Sequence, residues 1–314
     1  MQFGLLFPGQ GSQHTGMGRE LFEEYKLARE TYEDADRILG YSISSISFDG
    51  PEETLRETRN TQPALFVHGI AAFRVLSESG FEFSVAAGHS LGEYSALTAA
   101  GALEFADALR LVRRRGELMH EAGLKRPGSM AAILGLSQAE VIEICDEASR
   151  AGVVQPANLN SSSQSVISGE LVAVEAAVNL ARERGAKRAV MLPVSGAFHS
   201  PLMESASLGL SKILAEIKIN RAEFPVVANY SALPVREPED IREHLAKQVL
   251  GAVRWEESVR RMLSTGVRHF LEVGPGNVLK GLMRSVDKEA TVLSAGTPGD
   301  IASAVALLDR QKVT

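Results

Sequence analysis

The sequence predicts an α/β fold: a layered body on a parallel sheet, with an inserted ferredoxin-like (βαββαβ) subdomain. Three observations carry this. Strand and helix patterns alternate over the first 120 or so residues, the order that builds a parallel sheet. The middle of the chain changes to β-α-β-β-α-β order. And 314 residues, 45% of them hydrophobic and 23% charged, suffice for one large or two unequal cores.

QFGLLF opens the chain as a strand and runs into PGQGSQ, too glycine-rich for a helix. Helical patterns follow, over roughly Gly18 to Leu39 and Gln62 to Ser79. FSVAAG then reads as a short buried strand, EYSALTAAG as an alanine-rich helix, and Phe105 to Ala122 as a longer one. GSMAAILGL, VVQPANLN, SQSVISG and KRAVMLPV are strand-like. The helical SQAEVIEICDEASR and ELVAVEAAVNLARER lie among them, which places the small subdomain at 128–195. The body takes 1–127 and 196–314, where PVVANY and RHFLEVGPG return strands to the main sheet and NVLKGLMRSV adds a helix.

Composition excludes several classes. The net charge of -6, from 39 acidic and 33 basic residues, supplies no broad basic face for nucleic acid. One cysteine, Cys145, permits no internal disulfide, and its helical setting marks it as a core residue. No apolar run reaches membrane-spanning length, and MQFGLLFPGQGSQ lacks the basic start and long apolar stretch of a signal peptide. The expectation is a cytoplasmic protein, with nothing that demands more than a monomer. EVGPGNVLKGL has Leu279 where a dinucleotide fingerprint needs its third glycine, so it reads as a βα turn.

The chemistry centres on GHSLG. Ser90 between Gly88 and Gly92, after a strand and before a helix, suits a sharp elbow that exposes a nucleophilic hydroxyl. An ordinary βα turn is the other reading. A nucleophilic serine needs a base, and there are seven histidines. His68, His120 and His244 fall within helical patterns, His89 adjoins the serine on an elbow that aims it elsewhere, and His269 precedes a strand. His199, in the loop SGAFHSP leaving the small subdomain, is the candidate that faces the body.

The helix FADALRLVRRRGELMHEA carries a further signal. On a wheel of 3.6 residues per turn, Phe105, Ala108, Leu109, Leu111, Val112, Gly116, Leu118, Met119 and Ala122 form one apolar arc. Arg110, Arg113, Arg114, Glu117 and Glu121 take the opposite side, while Arg115 projects from near the middle of the arc. A guanidinium there requires an anion. That anion is either an internal carboxylate or the carboxylate of a substrate gripped in bidentate fashion.

PGQGSQ, NTQPAL, GHSLGEYSAL, LVRRRGELM, NLNS, GAFHSPLM, QVLGAVRW and EVGPGNVLKGL occur in the order seen in malonyl-CoA:acyl-carrier-protein transacylases. Over nearly the whole chain the sequence resembles that family, and also the acyltransferase domains of polyketide and animal fatty-acid synthases. The resemblance implies a hydrolase-like body with a ferredoxin-like subdomain. It implies Ser90 as carrier of an acyl ester, His199 as its base, and the backbone N–H groups of Gln10 and Leu91 as oxyanion donors. It also implies that a carbonyl at Gln248, rather than a carboxylate, orients the histidine.

Arg115 matches the family arginine that grips the free carboxylate of malonate. Phe198 matches the bulky residue of malonyl-selective members, where methylmalonyl-selective ones carry a small one. Ping-pong transfer from malonyl-CoA to the phosphopantetheine thiol of an acyl carrier protein follows, with no metal and no redox cofactor. The family's carrier protein is acidic, and Arg182, Arg184, Lys187 and Arg188 form the densest basic group in the small subdomain, or else a solvated helix end. A serine thioesterase or esterase, using the same serine and histidine, and a non-catalytic carrier-protein docking module are the competing readings.

Overall fold

The computed structural model describes residues 2–312. Its strands, in chain order, are β1 (Gln2–Phe7), β2 (Glu82–Gly88), β3 (Ser129–Leu134), β4 (Val154–Ser161), β5 (Gln164–Gly169), β6 (Arg188–Met191), β7 (Val226–Val227), β8 (Pro234–Val235), β9 (His269–Glu272) and β10 (Thr291–Ser294). They form two sheets. The larger runs β10-β9-β1-β2-β7-β8 and is parallel throughout except for the β7–β8 pair. The smaller runs β4-β5-β3-β6 and is antiparallel.

The larger sheet is covered on both faces, which is why β1 is buried at every position from Phe3 to Phe7. Helix Thr58–Ser77 is buried almost all round and lies in the interior, packed against helix Phe105–Lys125. Pro63 within it cannot donate to the carbonyl of Arg59, and the Arg113 guanidinium fills that role at 2.8 Å. Arg113 is therefore a half-buried bracket, also bonded to Tyr41 and Asn60, rather than a solvated residue.

The small sheet has its own core, built from Ala131, Ile133, Ile144, Cys145, Ile167, Val174 and Val178. Helices Gln138–Ala148 and Leu171–Glu183 supply the cover, the first opened by a capping box between Ser137 and Glu140. Its outer strand, β4, meets the body: Val253 donates to Ala157 and Leu159 donates to Val253 across a parallel bridge.

Several elements differ from the sequence expectation. The pattern over Gly18 to Leu39 is two helices, Arg19–Glu24 and Lys26–Leu39, broken where Tyr25 is extended. Arg29 stabilises the break by donating to the carbonyls of Phe22 and Glu23, which the first helix leaves free. The next helix starts four residues before the expected Gln62, at Thr58. Short helices at Ile43–Asp49 and Glu52–Arg56, and longer ones at Glu204–Glu216, Pro238–Gln248, Trp255–Ser264 and Pro298–Lys312, had no counterpart in the reading, nor did β8 and β10. Among the described residues no helix is long and apolar enough to cross a membrane.

The carboxyl ends of β1, β2 and β7 converge on one edge of the large sheet, where ligands bind in open α/β sheets. The glycines make that edge possible. A Cβ on Gly88 would sit 1.9 Å from the carbonyl carbon of Gly92, and one on Gly92 would sit 2.1 Å from the carbonyl oxygen of Phe7. Gly88→Ala should therefore cost about 3 kcal/mol through overpacking against rigid backbone. Gly281→Ala, on an exposed helical face with open space around it, should add about 0.5–1 kcal/mol. Urea titrations of the two variants read both signs.

Candidate active site

Ser90 sits where β2 ends and helix Gly92–Ala99 begins, with φ of 50°. A non-glycine residue in the left-handed region is strained by about 1–3 kcal/mol, and the surroundings must hold it there. They do so from both sides of the residue. The Asn229 amide, just beyond β7, accepts from Ser90 N at 2.7 Å and donates to Gly88 O at 2.7 Å. The Gln248 side chain donates to Ser90 O at 2.9 Å.

His199 lies in the loop after β6, also with positive φ (58°), and is 3% exposed. Its Nδ1 faces two carbonyls, Gln248 O at 2.9 Å and Gly251 O at 3.1 Å. Both are acceptors, so Nδ1 carries the proton and Nε2 presents its lone pair to Ser90 Oγ at 2.8 Å. The loop is secured from the small sheet: Gln155 of β4 donates to both His199 O and Leu250 O. Burial, and then the neighbouring Arg115 charge, push the His199 imidazole down to about 3. It is therefore neutral, the form a base must have, well into the acid range.

Arg115 is 1% exposed. It donates to Gln62 Oε1 at 2.7 Å, to Gln248 Oε1 at 2.9 Å and to Ser90 Oγ at 3.1 Å, and its guanidinium lies over the Tyr94 ring. Its Nε has no partner, and among the described residues no carboxylate is paired with it. The internal ion pair that the helical wheel left open is absent among those residues. Amide oxygens neutralise no charge, so the guanidinium faces the cavity with unmet demand for an anion.

That cavity has a volume of about 400 Å³, and Ser90, Arg115, His199, Phe198, Gln10 and Leu91 all line it. Leu91 opens the helix that follows the serine, and Gln10 follows β1 across the neighbouring strand. Among the described residues, neither backbone N–H donates within the protein. Free amides favour developing negative charge, the Leu91 one also by its place at a helix start. Phe198, 6% exposed, narrows the wall beside His199.

His89 also lines the cavity, turned away from the serine and held by Asn160 at 2.9 Å. Of the basic group, Arg184 is engaged by Glu147 and by Glu143 at 3.6 Å, and Arg182 donates to Ala189 O. Lys187 and Arg188 are exposed. Arg188 begins β6, whose continuation through Leu192, Pro193 and Val194 lines the cavity.

The sequence reading did not single out Gln62, Glu93, Asn229 or Gln155. Gln62 and Glu93 stood inside quoted motifs, NTQPAL and GHSLGEYSAL, but a polar residue in an apolar helix reads as surface until its neighbours are known. Asn229 lay inside PVVANY, read as a strand, with nothing local to mark its side chain.

A serine and a neutral histidine on a strained elbow, with free amides beside them, define an enzyme of the serine acyl-transfer class. The model of the acyl transferase domain family matches residues 5–312. The malonyl CoA-acyl carrier protein transacylase of Bacillus subtilis (strain 168) is 45% identical over 307 residues, 98% of this chain and 97% of that one. The crystal structure of acyl-carrier-protein-S-malonyltransferase from Bartonella henselae superposes with a TM-score of 0.95 at 43% identity, covering 98% of this chain and 100% of that one. A malonyl-transacylase in complex with its type II PKS acyl-carrier protein gives 0.94 at 39% identity, covering 98% and 99%. The chain belongs to the acyl transferase family, within it to the malonyl CoA-acyl carrier protein transacylases.

The His199 environment has a measurable consequence. With its base form retained on the acid side, Ser90 should react with a neutral fluorophosphonate at pH 5 within about threefold of its rate at pH 7. A histidine at the ordinary 6.5 would slow the reaction about 25-fold over that interval.

Proposed function

We propose that the protein moves a malonyl group from coenzyme A to the phosphopantetheine thiol of an acyl carrier protein, by way of an ester on Ser90. The observation that carries this reading is the buried Arg115, without a carboxylate partner among the described residues and 3.1 Å from the Ser90 hydroxyl. An acyl group that brings its own carboxylate supplies what the site lacks.

In the first half-reaction, Ser90 Oγ attacks the thioester carbonyl while His199 Nε2 takes its proton. The amides of Gln10 and Leu91 meet the oxyanion. Collapse breaks the C–S bond, and the departing sulfur receives the proton from His199. In the second half-reaction the carrier thiol gives its proton to His199 and attacks the ester, and Ser90 regains the proton as it leaves. The Gln248 carbonyl steadies the imidazolium that forms in each half.

Arg115 holds the malonyl carboxylate throughout. A donor without a carboxylate leaves a buried charge unpaired, at a cost of about 3–5 kcal/mol, so acetyl groups fall behind by about two to three and a half powers of ten. The acidic carrier meets the exposed Lys187 and Arg188, with Arg182 and Arg184 contributing less because each already has a partner. The carrier serves fatty-acid or polyketide synthesis, which use the same chemistry.

Intact-protein mass after brief mixing with malonyl-CoA should show one malonyl adduct, absent from Ser90→Ala. Arg115→Ala should lose the preference for malonyl over acetyl. Release of free malonate without a lasting adduct would instead make the protein a thioesterase, and no reaction at all would leave a docking module. Phe198→Ser should raise loading from methylmalonyl-CoA at least tenfold relative to malonyl-CoA, by opening the wall beside His199; a competition experiment read by adduct mass measures the ratio.

A further inference from the structure

Ser90, His199 and Arg115 come from separate parts of the chain, yet their supports meet at one atom. Glu93 lies in the first turn of the helix after the elbow and is 1% exposed. Its Oε2 accepts from Gln248 Nε2 at 2.7 Å and from Asn229 N at 3.0 Å. Each of those residues is itself a fixture of the site. Asn229 clasps Gly88 O and Ser90 N, on the two sides of the strained turn. Gln248 holds Ser90 O through Nε2, Arg115 through Oε1 and His199 Nδ1 through its backbone carbonyl.

The Gln248 amide is reversible in principle: rotated by 180°, it would present NH₂ to the Arg115 guanidinium and its oxygen to Glu93. Both contacts would then be repulsive. An acceptor at Glu93 Oε2 adds to Ser90 O and Arg115 in excluding that orientation, and anchors the amide so that Arg115 meets an oxygen and Ser90 O meets a donor. We propose that Glu93 is a positioning residue for acyl transfer, whose Oε2 sets the Gln248 amide and the Asn229 backbone and through them places the nucleophile, the base and the carboxylate-gripping arginine together. It touches no reacting atom.

The inference rests on the acyl-transfer reading but is separable from it. What matters is an acceptor at the reach of Oε2. Glu93→Gln keeps one there, because a single oxygen serves both donors. Glu93→Asp keeps a carboxylate but withdraws it by one methylene. Both changes are small enough for the fold to persist, and urea titration checks that it does.

Two readouts are taken per active site. One is malonyl loading with the malonyl-to-acetyl ratio, which requires Arg115. The other is fluorophosphonate labelling of Ser90, which requires only the serine and histidine. Glu93→Asp should load malonyl about 100-fold more slowly, as misplacement on the order of 1 Å does elsewhere. Its malonyl preference should fall at least tenfold and its labelling should slow. Glu93→Gln should recover loading to within about tenfold of the wild type, preference included.

Glu93→Asp with normal loading and preference, or with only a lower unfolding midpoint, overturns the proposal. So does a Glu93→Gln variant as impaired as Glu93→Asp, which would make charge rather than placement the operative property. If the wild type itself fails to load malonyl, the substrate reading falls, and the labelling rates alone then decide for or against Glu93.

Discussion

A buried positive charge with no carboxylate in direct contact among the described residues organises this molecule. Arg115 is carried on the apolar face of helix Phe105–Lys125, beneath the cavity, and is surrounded by amide oxygens and an aromatic ring. Those groups orient the guanidinium without neutralising it. Its field helps hold His199 uncharged, makes room for one anionic ligand and penalises a neutral one. In the proposed reaction the same charge thus both tunes the base and selects the acyl group.

Holding such a group in place takes structure on every side. Gln62 reaches it from the interior helix, Gln248 from the end of helix Pro238–Gln248, and the serine hydroxyl from the elbow. Two of the residues nearest the reaction, Ser90 and His199, have backbone angles that side chains disfavour. Their strain persists because amide side chains occupy the polar groups that a relaxed turn would use. Glu93, buried and pushed above the usual carboxylate range by its loss of water, is the acceptor on which the Gln248 side-chain amide and the Asn229 backbone N–H converge.

The division into two sheets serves the same end. The large sheet delivers the serine and the free backbone amides of Gln10 and Leu91 at its carboxyl edge, whereas the histidine follows the last strand of the small one. Their relative placement is secured where β4 meets residues 248 to 253, the stretch that also supplies both carbonyls to His199.

Much of this was readable along the chain because it depends on local spacing. The strands at Gln2–Phe7 and Glu82–Gly88, the elbow glycines and the odd placement of Arg115 on its wheel all follow from neighbours within a few residues. Motif order extended that to His199, Gln248, Gln10 and Phe198. Short helices, the break at Tyr25 and the strands β8 and β10 escaped, since long-range hydrogen bonds rather than periodicity decide them. Asn229, Gln62 and Glu93 escaped for the same reason: 139 residues separate Ser90 from the amide that clasps it. The sequence by itself determined which groups could react and which charge would need an anion, because side-chain chemistry is local. Only the tertiary structure decided that Arg115 is unpaired among its described neighbours, that His199 is neutral and that one buried oxygen joins their supports, because burial and hydrogen-bond partners are properties of the packed chain.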